Sequence, residues 1–398
     1  MNDYEVVVAG AGPVGTVAAL ILARAGIKVL LLESGAACAT DLRASTFHPP
    51  TLEIMKALGL SDALHAQGLV APVYRYHNRR TGAVIGFDLS ELADITDYPY
   101  RLQCEQWKLT NLATGRLLEH PGAELKFSRR VTGFAQDDDG VTIHIETPTD
   151  TETVRAGYLL GCDGSNSIIR KGLAVEFEGF TYGEKFLCLS TAMPVEAYLD
   201  NICYVNYMAD PEEWLVLLRA PTAWRVLVPA AEAEPDGVLL ADPKKDRVFA
   251  GLLGSDMPVE TLHRTIYRVH QRVARQYRFG RVILAGDAAH LNNPLGGMGM
   301  NAGIHDVWNL CPKLVEILRN GADDGLIDLY DRQRRTVMGE FIQAQTIRNK
   351  RAMEMAADEA TSRAEAELAE TARDPALRRE YLLRQSMYRS LEREAEIH

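Results

Sequence analysis

A glycine-rich turn between an apolar run and a helix constrains this chain more than any other stretch. Residues Tyr4–Ala9 read as a buried strand, Gly10-Ala-Gly12-Pro13-Val14-Gly15 as a turn, 16–25 as a helix that Gly26 ends, and 28–33 as a second strand. That order opens a parallel, doubly wound α/β sheet. Gly10 suits the tight turn, Gly12 lets backbone N–H groups approach a pyrophosphate, and Gly15 lets helix and strand pack closely, while the helix N-terminus adds positive potential. Glu33 closes the second strand as an acceptor for two ribose hydroxyls. Its charge would repel a 2′-phosphate, so the turn is expected to hold FAD or NAD and not NADP.

A second constellation separates those two. In RVILAGDAAHLNNPLGGMGMN, residues 281–301, an apolar strand delivers Gly286 and Asp287 at its carboxyl end, where ligands of parallel sheets collect. Asp287 can accept from a ribityl hydroxyl. Pro294, Gly297, Gly299, Met300 and Asn301 then bring bare backbone to a helix start, and such N–H groups suit the anionic edge of a reduced flavin. FAD, held without a covalent link, is therefore the expected cofactor. Only one complete glycine fingerprint exists, so NADH or NADPH is expected as a transient co-substrate without a nucleotide fold of its own.

Between these motifs, 131–136 and 141–146 alternate as a hairpin around Asp138-Asp139-Gly140, and 158–161 form another strand. The acidic run 137–139 reads as a solvated turn, since it lacks the further oxygen ligands of a calcium loop, and no metal site is expected. Residues 186–193, 202–208, 214–218 and 224–228 are β-rich and divided by Pro and acidic turns, which points to a mostly antiparallel sheet. The expected fold class is α/β: a discontinuous Rossmann-like FAD-binding domain (1–70, 100–180 and 270–345), a β-sheet substrate domain (71–99 and 181–269) and a helical C-terminal segment (346–398).

The glycine turn with Glu33, the stretch 161–170 (GCDGSNSIIR), and Gly286-Asp287-Ala-Ala-His290 with Pro294 and 296–299 resemble the three fingerprints of the single-component flavoprotein aromatic hydroxylases, the para-hydroxybenzoate hydroxylase type. The resemblance spans about the first 320 residues. It implies an FAD-dependent monooxygenase that uses NAD(P)H and O2 to hydroxylate a phenolic or hydroxylated heteroaromatic compound through a flavin C4a-hydroperoxide. It also implies roles for Asp163 in FAD and nicotinamide binding, Arg43 along the FAD pyrophosphate and Gln106 near the ribityl chain. Asp163 also reads as a helix cap, Arg43 as a surface arginine, Gln106 as a solvated helix position and His290 as a structural residue.

The substrate side is less marked. Arg219 shares a face with Leu215 and Leu217, and Arg225 shares one with Leu227, so each arginine either clamps a substrate carboxylate or snorkels to solvent. With Pro294 they are the catalytic candidates. Tyr204, Tyr207 and Trp224 read as core. Pro312 falls inside the helix after the glycine-rich loop, where a kink or an end is expected. Beyond residue 348 the chain reads as helix broken near Pro375, and the weak apolar stripe of 357–373 suits either a solvated arm or an oligomer contact.

The formal charge of −11 over 398 residues argues against nucleic acid, and no polybasic run suggests a membrane surface. The first apolar stretch carries Asp3 and Glu5 before it and glycines within it, unlike a spanning helix. Six scattered cysteines without C-x-x-C spacing suit a reducing compartment, so a cytoplasmic monomer or homodimer is expected. Rival readings are a flavin-dependent reductase or halogenase of the same fold, or a non-catalytic FAD-binding module. No Trp-x-Trp-x-Ile-Pro run supports the halogenase, and a flavin-facing loop speaks against the module. A disulfide reductase is excluded, because no C-x-x-x-x-C lies near the glycine turn.

Overall fold

The computed structural model describes residues 2–210, 213–354 and 359–398. Its first sheet is built around Tyr4–Ala9, which pairs in parallel with Val29–Leu32 on one side and Thr151–Gly161 on the other. Val282–Leu284 and Ala123–Lys126 extend the parallel array at either end. Both faces are covered, so the centres of these strands are apolar: Val6, Val7, Val8, Val29, Leu30 and Leu31 are all fully buried. The expected hairpin forms from Arg130–Gln136 and Val141–Glu146, and Asp137 closes its turn by accepting from the N–H groups of Asp139 (2.9 Å) and Gly140 (3.0 Å).

The second sheet has eight strands, antiparallel but for one pair, Val205–Ala209 beside Val73–Asn78. Its backbone is the long pair Phe177–Thr191 and His263–Ala274, whose register shifts between Thr181 and Lys185. A third sheet of three short strands joins Thr46–Phe47, Arg101–Gln103 and Leu69–Ala71. The strands at 73–78, 84–88 and 101–103 carry no alternation long enough to be read from sequence.

The helix after the glycine-rich loop runs unbroken over Gly299–Asn320, and Pro312 neither ends it nor divides it. Ile304, Val307, Cys311 and Leu314 bury one side of it in the main core. Trp308 and Pro312 lie on the exposed side, where solvent serves the carbonyl that loses its N–H partner. Core burial of about 1.5–3 kcal/mol per large apolar side chain outweighs the local cost of the proline.

The C-terminal segment packs on its own chain, which overturns the solvated arm for the described part of 357–373: Leu368 and Ala372 lie against the cluster that holds Tyr74 and Phe87. Residues 357–358 lie outside the described residues, but Pro375–Gln385 and Tyr388–Ala395 pack on the body of the same chain, with Leu382 and Met387 buried. The helix breaks near Pro375 as expected, and Asp374 caps the helix Pro375–Gln385, accepting from Ala376 and Leu377 N–H groups at 2.8 and 2.9 Å. Tyr381 lies against Phe87 (4.4 Å between centroids), and Arg378 and Arg379 pair with Glu91 and Asp94. Among the described residues no helix is long and apolar enough to cross a membrane.

Candidate active site

The carboxyl ends of the parallel strands open into one continuous cavity of about 1310 Å³ that reaches the antiparallel sheet. A single small ligand fills roughly 300–1,000 Å³, so the space suits a cofactor and a second molecule beside it. Gly10, Gly12, Pro13, Val14, Glu33, Arg43, Gln106, Asp163, Asp287, Pro294, Gly297, Gly299 and Met300 all line it. Gly15, Gly286 and Asn301 do not. They lie behind the wall and shape it.

Gly10 adopts φ +100°, and a Cβ there would stand 2.4 Å from the Cys162 carbonyl oxygen. At Gly15 a Cβ would fall 1.9 Å from the Gly10 carbonyl oxygen, so this glycine allows the turn to close on its own helix. Gly12 is different: nothing lies within 4 Å of a Cβ built on it. Glu33 braces the turn, with Oε2 accepting from Ala11 N–H (2.8 Å) and Oε1 from Gly35 N–H (2.8 Å). Asp163 does cap the following short helix, its Oδ2 accepting from Ile168 N–H (2.7 Å), yet its Oδ1 is buried without a partner.

Asn301 ties the glycine-rich loop down. Its Nδ2 donates to the carbonyls of Thr46 (2.9 Å) and Gly297 (2.7 Å), and its Oδ1 accepts from His48 N–H (2.9 Å). His48 in turn meets the Gly296 carbonyl at 2.8 Å through Nε2. On the other side of the loop, Asp287 opens into the cavity, and the protein around it raises its pKa against the pull of His290, Arg43 and Arg170. His290 is structural. Its Nε2 meets Asp306 Oδ2 at 2.6 Å, and Asp306 also accepts from Gly286 N–H (2.9 Å) and Arg334 Nε (2.8 Å). Arg334 completes the buried chain by pairing with Glu394 from the C-terminal segment.

The two substrate-side arginines part company. Arg219 does not line the cavity; it is half-buried, donates to the Ala220 carbonyl at 2.8 Å and lies near the Trp224 ring. Arg225 lines it and does not snorkel: it is buried and donates to the backbone carbonyls of Leu42 and Arg43. It therefore fixes the segment that carries Arg43, whose own side chain is exposed and paired with Asp41 at 3.2 Å. Tyr207 and Trp224 are core as expected, while Tyr204 is 39% exposed. Sequence reasoning passed over Arg101 and His48, which are buried beside the loop.

A family model described as FAD binding domain matches residues 3–345. Para-nitrophenol 4-monooxygenase of Pseudomonas sp. (strain WBC-3) is 33% identical over 382 residues, covering 95% of this chain and 94% of that protein. The chain belongs to the single-component FAD-dependent aromatic hydroxylases. This hydroxylase is also 30% identical to 6-hydroxy-3-succinoylpyridine 3-monooxygenase of Pseudomonas putida, with 85% and 86% of the two chains covered. The crystal structure of p-nitrophenol 4-monooxygenase from Pseudomonas putida DLL-E4 superimposes with a TM-score of 0.92 at 30% identity, over 99% of each chain. The cavity of the hydroxylase fits FAD on its own geometry: a glycine cradle that a Cβ would fill lies at one end, and an acidic side chain, Asp287, opens beside a backbone-rich loop.

Two buried histidines next to this loop make the hydroxylase acid-sensitive. Burial pushes His305 down to about 3 and His48 well below its ordinary value, so both are neutral in the fold. Both become protonated in the unfolded chain below about pH 6.5. Their contribution is complete above that pH and is lost as pH falls toward their folded values. At pH 5 His305 is expected to cost about 2 kcal/mol, and His48 acts in the same direction. Tm measured from pH 8 to 5 should fall steadily, with a shallower slope in His305→Gln; a flat profile would refute the assignment.

Proposed function

We propose that the hydroxylase acts on a single-ring phenol of the para-substituted kind, with 4-nitrophenol the first compound to try. The observation that carries this reading is the full-length match to para-nitrophenol 4-monooxygenase, which extends through the helical C-terminal segment. The cavity supports it. Val205, Val216, Leu218, Leu227 and Leu295 give apolar walls that exclude water around a ring.

In this proposal Gly10, Gly12, Pro13 and Val14 would hold the FAD pyrophosphate and Glu33 its adenosine ribose, with Gly15 closing the turn behind them. Arg43 and Asp163 would flank the same stretch, Gln106 and Asp287 would serve the ribityl chain with Gly286 shaping the wall behind them, and Pro294, Gly297, Gly299 and Met300 would face the ring system on the loop that Asn301 ties down. Bound FAD supplies the redox chemistry, accepting a hydride from NAD(P)H and passing one oxygen atom of O2 to the substrate. The balance is NAD(P)H + H⁺ + O2 + Ar–H giving NAD(P)⁺ + H2O + Ar–OH. The division into a discontinuous FAD-binding domain and a β-sheet substrate domain fits the two large sheets. Six free thiols fit a cytoplasmic setting.

The test follows NAD(P)H oxidation with and without 4-nitrophenol and other phenols in labelled dioxygen. Label in the organic product, with oxidation faster when the phenol is present, is the expected result. Oxygen acquired from water, or a reduced or halogenated product, would overturn the reading.

A further inference from the structure

Arg101 is among the most deeply buried side chains of the molecule, 1% exposed, yet it lines the large cavity. Its strand, Arg101–Gln103, pairs with Thr46–Phe47, whose Thr46 carbonyl accepts from Asn301 and so grips the glycine-rich loop. The guanidinium is thus one strand away from the place where the flavin loop meets the substrate-side walls. Among the described residues no Asp or Glu lies within ion-pairing distance of it. Its protein contacts are the Tyr74 ring, 4.3 Å from Cζ to centroid, and a long 3.4 Å approach of Nη1 to the Tyr207 hydroxyl. Nε has no partner.

Burying a cation is costly unless an anion or a full set of acceptors offsets it. A cation–π contact and one long hydrogen bond offset only part of that cost. The other buried arginines are better served: Arg334 has two carboxylates, Arg170 three backbone carbonyls and Arg225 two, although the Nε of Arg225 also has no partner. Among the described residues Arg101 is the one of these four from which no carboxylate and no backbone carbonyl accepts, and it lines the cavity.

We propose that Arg101 is the specificity-determining residue of the substrate pocket and that it pairs with an oxyanion carried by the aromatic ring. That oxyanion is either the phenolate oxygen itself or an acidic substituent, and the chemistry at Arg101 is the same for both. The proposal rests on the reading of the cavity as a phenol site.

The test measures binding to the FAD-loaded protein through perturbation of the flavin visible spectrum, above the pKa of 4-cyanophenol. The probes are 4-cyanophenolate, charged only at the phenol oxygen; benzoate, charged only at the substituent; and 4-cyanotoluene, which is neutral. At least one anion is expected to bind wild type about 10²-fold tighter than 4-cyanotoluene. The preferred anion identifies which oxygen Arg101 takes. Arg101→Met should abolish that preference without changing 4-cyanotoluene binding or FAD content, and Arg101→Lys should keep part of it. Equal binding of all three probes to wild type overturns the proposal, and so does an Arg101→Met protein that retains FAD and the full preference. If Arg101→Met fails to hold FAD, the wild-type ratio and Arg101→Lys decide. Labelled-oxygen turnover is scored separately, so a hydroxylated phenol without anion preference removes only the role of Arg101.

Discussion

Asp306→Ala is expected to cost about 3–5 kcal/mol of folding stability, the largest loss of any single side-chain truncation considered for this protein. Asp306 is completely buried and serves three donors at once: the Gly286 N–H, His290 Nε2 and Arg334 Nε. Truncation strands a backbone N–H at the turn that carries Asp287, an imidazole, and a guanidinium that is 1% exposed. Urea unfolding monitored by far-UV circular dichroism measures the loss, and a change below about 1 kcal/mol would show that the network is dispensable. The same group sets a low-pH limit. Burial alone would raise its pKa, but His290 and Arg334 more than offset that and hold it at about 2. Its folded value lies below its unfolded one, so the stabilisation is whole above about pH 4 and disappears as pH falls toward 2.

The second large effect is a contrast between two glycines of one turn. Gly15→Ala places a Cβ 1.9 Å from a backbone oxygen, which no rotamer relieves, so the turn has to open. A loss of about 1–3 kcal/mol in the FAD-free protein is expected together with weakened FAD retention. Gly12→Ala meets no protein atom within 4 Å, so the FAD-free protein should unfold within about 0.5 kcal/mol of wild type. If Gly12 makes room for a pyrophosphate, FAD affinity nevertheless falls by at least about tenfold, 1.4 kcal/mol. Measuring apoprotein stability and FAD affinity on both variants separates a packing glycine from a ligand-approach glycine. Undiminished FAD affinity in Gly12→Ala would contradict the proposed placement.

That contrast also marks what a sequence discloses. The turn, Glu33 and the Asp287 loop were legible because each is a local device: a fixed order of residues around one strand end, with spacing that carries the geometry. Arg101 was not. It stands on a three-residue strand whose partners lie at 46–47 and 69–71, and three residues show no period. Arg225 was seen but its partners were not, since alternation gives the face a residue occupies and not the carbonyls of Leu42 and Arg43 that await it there. The docking of the C-terminal segment was illegible for a related reason. Leu382 and Leu383 join a surface already shaped by 74–92, and Met387 packs with Met298, Met338 and Ile342, so a narrow stripe suffices.

The chain from His290 to Glu394 bears on how the protein is made. His290, Asp306, Arg334 and Glu394 are drawn from four points along the last third of the sequence, and Glu394 follows Arg334 by 60 residues. At about 5–20 residues per second a ribosome needs roughly 3–12 seconds to supply that last carboxylate. Until then the central parallel sheet can assemble, because Val282–Leu284 has already emerged to pair with Thr151–Gly161. Arg334 meanwhile holds only one of its two anions. Completion of the site is thereby timed to the end of this stretch of synthesis: the loop that presents Asp287 reaches its final rigidity when the helix Tyr388–Ala395 docks.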